Sequence, residues 1–205
     1  MNNLVQKVNT SRVIAILRSS CDEFMGLHLE RLVSAGLLVI EVSRSSDTYE
    51  TSLGRLRNEW SEYLEIGAGT ILTIDDAKRA LDLGATFLVS PHFDPSLTEF
   101  VVTKGIPYVV GCLSPSEVVQ ALQANVDAIK IFPASLGGPS YVKALLAPFP
   151  GTRFVPTGGV SLENAEEYWN AGAWGVGIGS ELSSAIAERG WSNARLQKFF
   201  QRSAQ

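Results

Sequence analysis

The chain has 205 residues, 45% hydrophobic and 19% charged, a balance that suits an ordinary globular protein with one substantial core. Its 17 basic and 21 acidic residues give a net charge of −4 with no basic tract, which argues against nucleic acid or an anionic membrane surface as partner. No apolar run approaches the roughly 20 residues that span a bilayer, and the polar Met1–Thr10 lacks the apolar centre of a signal peptide. The expectation is a cytoplasmic protein, with no membrane partner, forming one domain over residues 1–205.

Short β-branched or apolar runs alternate with longer amphipathic stretches from Val13 onward. Val13-Ile14-Ala15-Ile16-Leu17 is the first run, followed by a helical stretch over 22–35 that stops at Gly36. Leu38–Val42 and Leu64–Gly67 are the second and third runs. A helix beginning Thr73-Ile74-Asp75-Asp76 ends before Gly84 and leads to the fourth run, Phe87–Ser90. Pro107–Val110 is the fifth. Ser114-Pro115-Ser116-Glu117 then places proline at the first helical position and glutamate where a capping box needs it. Ala128–Phe132 and Arg153–Pro156 are runs six and seven, and Ser161-Leu162-Glu163-Asn164 opens a helix that ends at Gly172. Gly175–Ile178 is the eighth run. Runs this short and this unbroken suit parallel strands covered on both faces. Eight alternations in one short chain point to a closed (β/α)8 TIM barrel, with an open doubly wound sheet as the rival arrangement. Barrel active sites sit at the C-terminal strand ends, so the residues there carry the functional reading.

Of six lysines, only Lys130 lies inside an apolar strand. An unpaired buried ammonium is costly, and burial favours the neutral amine, the form that attacks a ketone to make an imine. The plainer account is a buried ion pair with Glu41, itself a lone ionisable group in Val39-Ile40-Glu41-Val42. The two accounts are compatible, because a carboxylate beside the amine can also move protons. Gly158-Gly159 after run seven and Gly177-Ile178-Gly179-Ser180 after run eight fall where barrels often bind phosphate through bare backbone N–H groups. Thr70, at the end of Gly67-Ala68-Gly69-Thr70, offers a hydroxyl to a carboxylate or keto oxygen, or serves only as a turn residue. Arg18 and Arg44 follow runs one and two and are shaped to bind a carboxylate, although surface arginines are common. His92 follows run four as a loop histidine. Cys21 and Cys112 form no CxxC motif and read as two reduced thiols. Two distant histidines give no metal-ligand pattern.

Taken together, Val13–Arg18, Ile40-Glu41-Val42, Ile66–Thr70, Val89-Ser90-Pro91, Ile129–Ala134, Pro156–Val160 and Gly177–Ser180 resemble the 2-keto-3-deoxy-6-phosphogluconate aldolases. That family includes 4-hydroxy-2-oxoglutarate and 2-keto-3-deoxy-6-phosphogalactonate aldolases. The motifs span nearly the whole chain and occur in family order. The resemblance implies a class I aldolase that needs no metal and no cofactor, takes a small phosphorylated keto-acid, and releases pyruvate. It implies Lys130 as the Schiff-base lysine and Glu41 as the general acid/base. Arg18, Thr70, Pro91 and Phe132 would form the pyruvate side, and Thr157, Gly158, Gly159, Gly179 and Ser180 the phosphate side. A homotrimer is also implied. The segment Glu41-Val42-Ser43-Arg44-Ser45 departs from the family's Glu-Val-Thr-Leu-Arg pattern: arginine comes one place early and Ser45 takes its position. A one-residue shift reverses a strand side chain's face, so Arg44 is expected to point away, leaving the carboxylate to Arg18. The segments Lys130–Ser135 and Gly138–Leu145 look more like the galactonate branch. Three rival readings are a barrel phosphosugar isomerase or synthase without a Schiff base, a phosphometabolite-binding barrel without catalysis, and a metal-dependent pyruvate aldolase.

Overall fold

A computed structural model describes residues 3–18, 28–179, 182 and 190–203. In chain order the elements are α1 (Asn3–Ser11), β1 (Val13–Leu17), α2 (Leu29–Ala35), β2 (Val39–Ser43), α3 (Tyr49–Trp60) and β3 (Glu65–Gly69). They continue with α4 (Ile74–Asp82), β4 (Leu88–Val89), α5 (Pro95–Thr103), β5 (Tyr108–Cys112), α6 (Pro115–Gln123) and β6 (Ala128–Ile131). A 3-10 turn (Ala134–Leu136), α7 (Gly138–Leu146), β7 (Phe154–Pro156), α8 (Ala165–Asn170), β8 (Val176–Ile178) and α9 (Asn193–Ser203) complete the order.

All strand pairs are parallel, each strand beside its sequence neighbour, with β8 returning to β1. A parallel bridge between Thr157 and Gly177 joins β7 to β8 and closes the (β/α)8 barrel. Closure leaves no unpaired sheet edge. The eight strands lie where the sequence predicts, with ends displaced by no more than two residues.

Strand residues alternate between two faces. Leu17, Ile40, Val42, Ala68, Leu88, Val110, Ile129 and Ile131 pack outward into the layer between strands and helices. Ile14, Val39, Phe87, Val89, Val109, Ala128 and Val155 form a separate inner cluster with Leu4 and Val8 of α1. Glu41 lies two residues beyond Val39 and Lys130 two beyond Ala128, so both belong to the inner face, nearer the C-terminal mouth.

Helix α1 departs from the sequence reading, in which Met1–Thr10 is only a polar segment. Its mean polarity hides a face: Leu4 and Val8, four residues apart, are fully buried, and the helix meets β2 and β3. The Ser114/Glu117 capping box forms as predicted, and Thr73/Asp76 forms a second. Gly36, at φ 120, ends α2 by donating its N–H to Leu32 O and Val33 O. The helix predicted from Ser161 begins at Ala165 instead, because Asn164 Oδ1 accepts from Ser161 N–H at 2.8 Å and makes a turn there. Cys21, Ser180 and the predicted helix start at Asp22 lie outside the described residues. No described helix is long and apolar enough to cross a membrane.

Candidate active site

Lys130 stands in β6 with Gly111 of β5 on one side and Val155 of β7 on the other. Its side chain is 5% exposed, and Nζ lies 3.8 Å from Glu41 Oε1, whose side chain is 4% exposed. Burial lowers the Lys130 pKa from its usual 10.5; the Glu41 charge raises it and the Arg18 charge lowers it again. Desolvation is the largest of these effects, so the balance shifts toward the neutral amine despite the carboxylate. The aromatic ring of Phe132 lies 5.2 Å from Nζ and forms one wall.

Three glycines make the room. A Cβ on Gly69 would stand 1.8 Å from Glu41 Oε1, and a Cβ on Gly111 would stand 2.1 Å from the Pro91 carbonyl carbon. Gly69 therefore lets the Glu41 carboxylate lie across β3, and Gly111 lets the Ser90-Pro91-His92 chain fold over β5 beside Lys130. A Cβ on Gly177 would lie 2.3 Å from Thr157 Oγ1, which packs into the seam between β7 and β8. Sequence reasoning missed Gly69 and Gly111 as site-shaping residues. The alternation of strand faces and the register Gly111↔Lys130 carry the signal.

Arg18 is exposed just beyond β1, close enough for its charge to act on Lys130. Arg44 turns outward as expected: its Nε lies 3.0 Å from Asp76 Oδ1, next to α4. Thr70 stands at the β3 exit with φ 61. Its Oγ1 shares a 2.9 Å hydrogen bond with Ser43 Oγ, which also bonds Ser45 Oγ at 2.8 Å. Ser43 follows Glu41 by two residues and is fully buried, so a hydroxyl cluster lines the inner face above the Lys130–Glu41 pair. The exposed His92 shares a 3.1 Å hydrogen bond between Nδ1 and Ser90 Oγ and joins none of these groups.

Gly158 and Gly159 have φ 90 and 82, a left-handed turn that side chains resist. Gly158 packs against Phe132, with a virtual Cβ 3.3 Å from the ring. The β7 loop thus adjoins the Lys130 pocket, and Gly179 closes β8 nearby. Thr157 stands opposite Gly177, next to that loop. Its N–H donates to Ile131 O at 2.9 Å and its hydroxyl to Val155 O at 3.2 Å. Both contacts fix Thr157 in the seam between β7 and β8, directly before the glycine loop. Cys112, at the end of β5, is buried, and burial pushes its thiol up to about 12, with a smaller push from Glu117. It stays protonated at neutral pH and does not compete with Lys130 as a nucleophile.

Residues 4–197 match the family described as "Aldolase: KDPG and KHG aldolase". The 2-dehydro-3-deoxy-phosphogluconate aldolase of Treponema pallidum (strain Nichols) is 37% identical over 138 residues, covering 67% of this chain and 65% of the relative. The 2-dehydro-3-deoxy-6-phosphogalactonate aldolase of Escherichia coli (strain K12) is 33% identical over 174 residues, covering 84% of this chain and 85% of the relative. A solved KDPG aldolase from Legionella pneumophila, with pyruvate captured as a covalent carbinolamine, superposes with a TM-score of 0.83 at 28% identity. It covers 100% of this chain and 99% of its own.

Proposed function

The chain belongs to the KDPG and KHG aldolase family, and we propose that it cleaves 2-keto-3-deoxy-6-phosphogluconate, or the galactonate epimer, to pyruvate and glyceraldehyde 3-phosphate. One observation carries this reading: a strand lysine, buried and held toward its neutral form, stands 3.8 Å from a buried carboxylate at the barrel mouth. The isomerase and pure-binding alternatives give that pair no task.

The reaction follows from the geometry. Neutral Lys130 attacks the C2 ketone, and the carbinolamine loses water to give a protonated imine. At 3.8 Å the Lys130–Glu41 contact is long for a direct hydrogen bond. That leaves room for Glu41 to shuttle protons through a water as well as directly. The imine accepts the electron pair as the C3–C4 bond breaks, and Glu41 takes the C4 hydroxyl proton. Glyceraldehyde 3-phosphate leaves, the pyruvate enamine is protonated at C3, and water releases pyruvate from Lys130. Arg18, Thr70, Pro91 and Phe132 hold the pyruvyl end. Gly158, Gly159 and Gly179, together with Ser180, hold the phosphate, with Thr157 supporting them from the seam. These phosphate contacts position the substrate rather than carry out chemistry. The unphosphorylated 4-hydroxy-2-oxoglutarate is a further candidate substrate.

The protein acts as a homotrimer in this reading. Leu113, Val119, Leu122 and Leu136, 36% to 70% exposed, lie on and around α6 and on the turn after β6, and exposed apolar side chains there are available to a second copy. A cytoplasmic setting fits a phosphorylated substrate, whose charge opposes passage through a bilayer.

Incubation with pyruvate and borohydride, followed by peptide mass spectrometry, tests the function. A reduced pyruvyl adduct on Lys130 is expected. Folded protein that carries no adduct at Lys130 would remove the Schiff-base mechanism.

A further inference from the structure

The turn after β3 is held from several sides. Ser43 Oγ, fully buried, bonds Thr70 Oγ1 at 2.9 Å. The neighbouring Arg44 donates its N–H to Gly69 O at 2.9 Å and pairs through Nε with Asp76 Oδ1 at 3.0 Å. Asp76 Oδ2 in turn accepts from Leu72 N–H at 3.2 Å and Thr73 N–H at 3.1 Å. Ile71 N–H donates to Val89 O at 3.1 Å on the far side. The segment 69–73 is therefore clamped between β2 and β4, with the start of α4 as a third anchor.

Inside the clamp, Thr70 has φ 61. A β-branched residue is a genuine outlier there and persists only when its surroundings hold it. The strain has a local counterpart: Ser43 fixes the hydroxyl and Arg44 fixes the backbone on either side of it. Arg44 is the residue that stands one place early against the family pattern, and its guanidinium is engaged outside the barrel.

We propose that Ser43 and Arg44 are positioning residues that hold Thr70 in its left-handed conformation and so set the pocket for the substrate's pyruvyl carboxylate. Arg44 acts through Asp76 and the turn, without touching substrate. The proposal rests on the reading of Thr70 as a pyruvate-side residue. Neither residue contacts the Lys130–Glu41 pair in a way that would change proton transfer, so their loss weakens binding more than chemistry.

The test is exchange of the pyruvate methyl hydrogens with solvent deuterium, followed by NMR. This reports enamine formation without the aldehyde partner. Ser43→Ala and Thr70→Ala should each raise KM for pyruvate about tenfold, the scale of one lost hydrogen bond, with kcat changed by no more than about twofold. The double variant should be no worse than Thr70→Ala alone, because Thr70→Ala already removes the bond that Ser43→Ala removes. Arg44→Ala should raise KM less, and Arg44→Lys should restore most of the loss. Simple destabilisation would lower Tm without separating KM from kcat. Additive effects of Ser43→Ala and Thr70→Ala, or an unchanged KM in Ser43→Ala and Arg44→Ala beside a raised one in Thr70→Ala, would overturn the clamp and leave the pocket reading standing. An unchanged KM in Thr70→Ala would sink both. If Ser43→Ala does not fold, the half-exposed Arg44 decides the matter alone: a raised KM rescued by lysine supports the clamp, and an unchanged KM rejects it.

Discussion

At Lys130, burial and a neighbouring carboxylate pull the amine in opposite directions, and burial is the stronger. Between the lowered native pKa and the ordinary 10.5, the unfolded chain binds more protons than the native one. The lysine's contribution to stability therefore rises with pH through that window and is lost as pH falls through the native value. Reactivity follows the same titration, since only the neutral amine attacks. At saturating pyruvate, borohydride trapping should rise with pH to a plateau whose midpoint lies below 10.5. Arg18→Met removes a cation and should move that midpoint up, whereas Glu41→Gln removes an anion and should move it down. Midpoints that stay put in both variants would refute this electrostatic account. Lys130 and Glu41 were legible in the sequence because each is a lone ionisable group in an apolar run. Gly69 and Gly111 were not, since a glycine's role in admitting a carboxylate or a crossing chain depends on what approaches it from another strand.

Among the elements, α1 shows what the inner face needs. Strands that alternate around a barrel leave its N-terminal end lined with Ile14, Val39, Phe87 and Val109, and Leu4 and Val8 join that cluster. Leu4→Ala should cost about 3 kcal/mol, the usual scale for a buried leucine, read as a fall in the urea midpoint. Trapping of pyruvate by the native fraction should be unchanged, because the chemistry lies at the opposite strand ends. A loss under about 1 kcal/mol would mean that α1 adds little to the core. The helix starts at Thr73 and Ser114 were readable because a capping box is a local signal. The start at Ser161 was misread because Asn164 competes for the same backbone with its own side chain. Helix α1 was missed because amphipathicity lies in the spacing of its apolar residues and not in their number.

For the whole molecule, the exposed leucines around α6 bear on assembly. Leu136, at 70% exposure, sits just past the strand that carries Lys130. A charge there should weaken association of copies while leaving each barrel folded. Sedimentation of the unmodified protein should give a trimer, and Leu136→Glu should shift the distribution toward smaller species at equal concentration. A wild-type protein that sediments as a monomer, or a variant that sediments like wild type, would remove this surface from the account of assembly.

The sequence alone determined the eight strand–helix units, their order and the two ionisable residues in their midst. Hydrophobic periodicity and helix caps act over a few residues, and an isolated charge in an apolar run is conspicuous without any partner. Only the tertiary structure decided which groups meet. The Thr157–Gly177 seam, the outward pairing of Arg44 with Asp76 and the bond between Ser43 and Thr70 join residues distant in sequence. Such contacts depend on strand register and barrel closure, because a slip of one residue would turn every inward side chain outward.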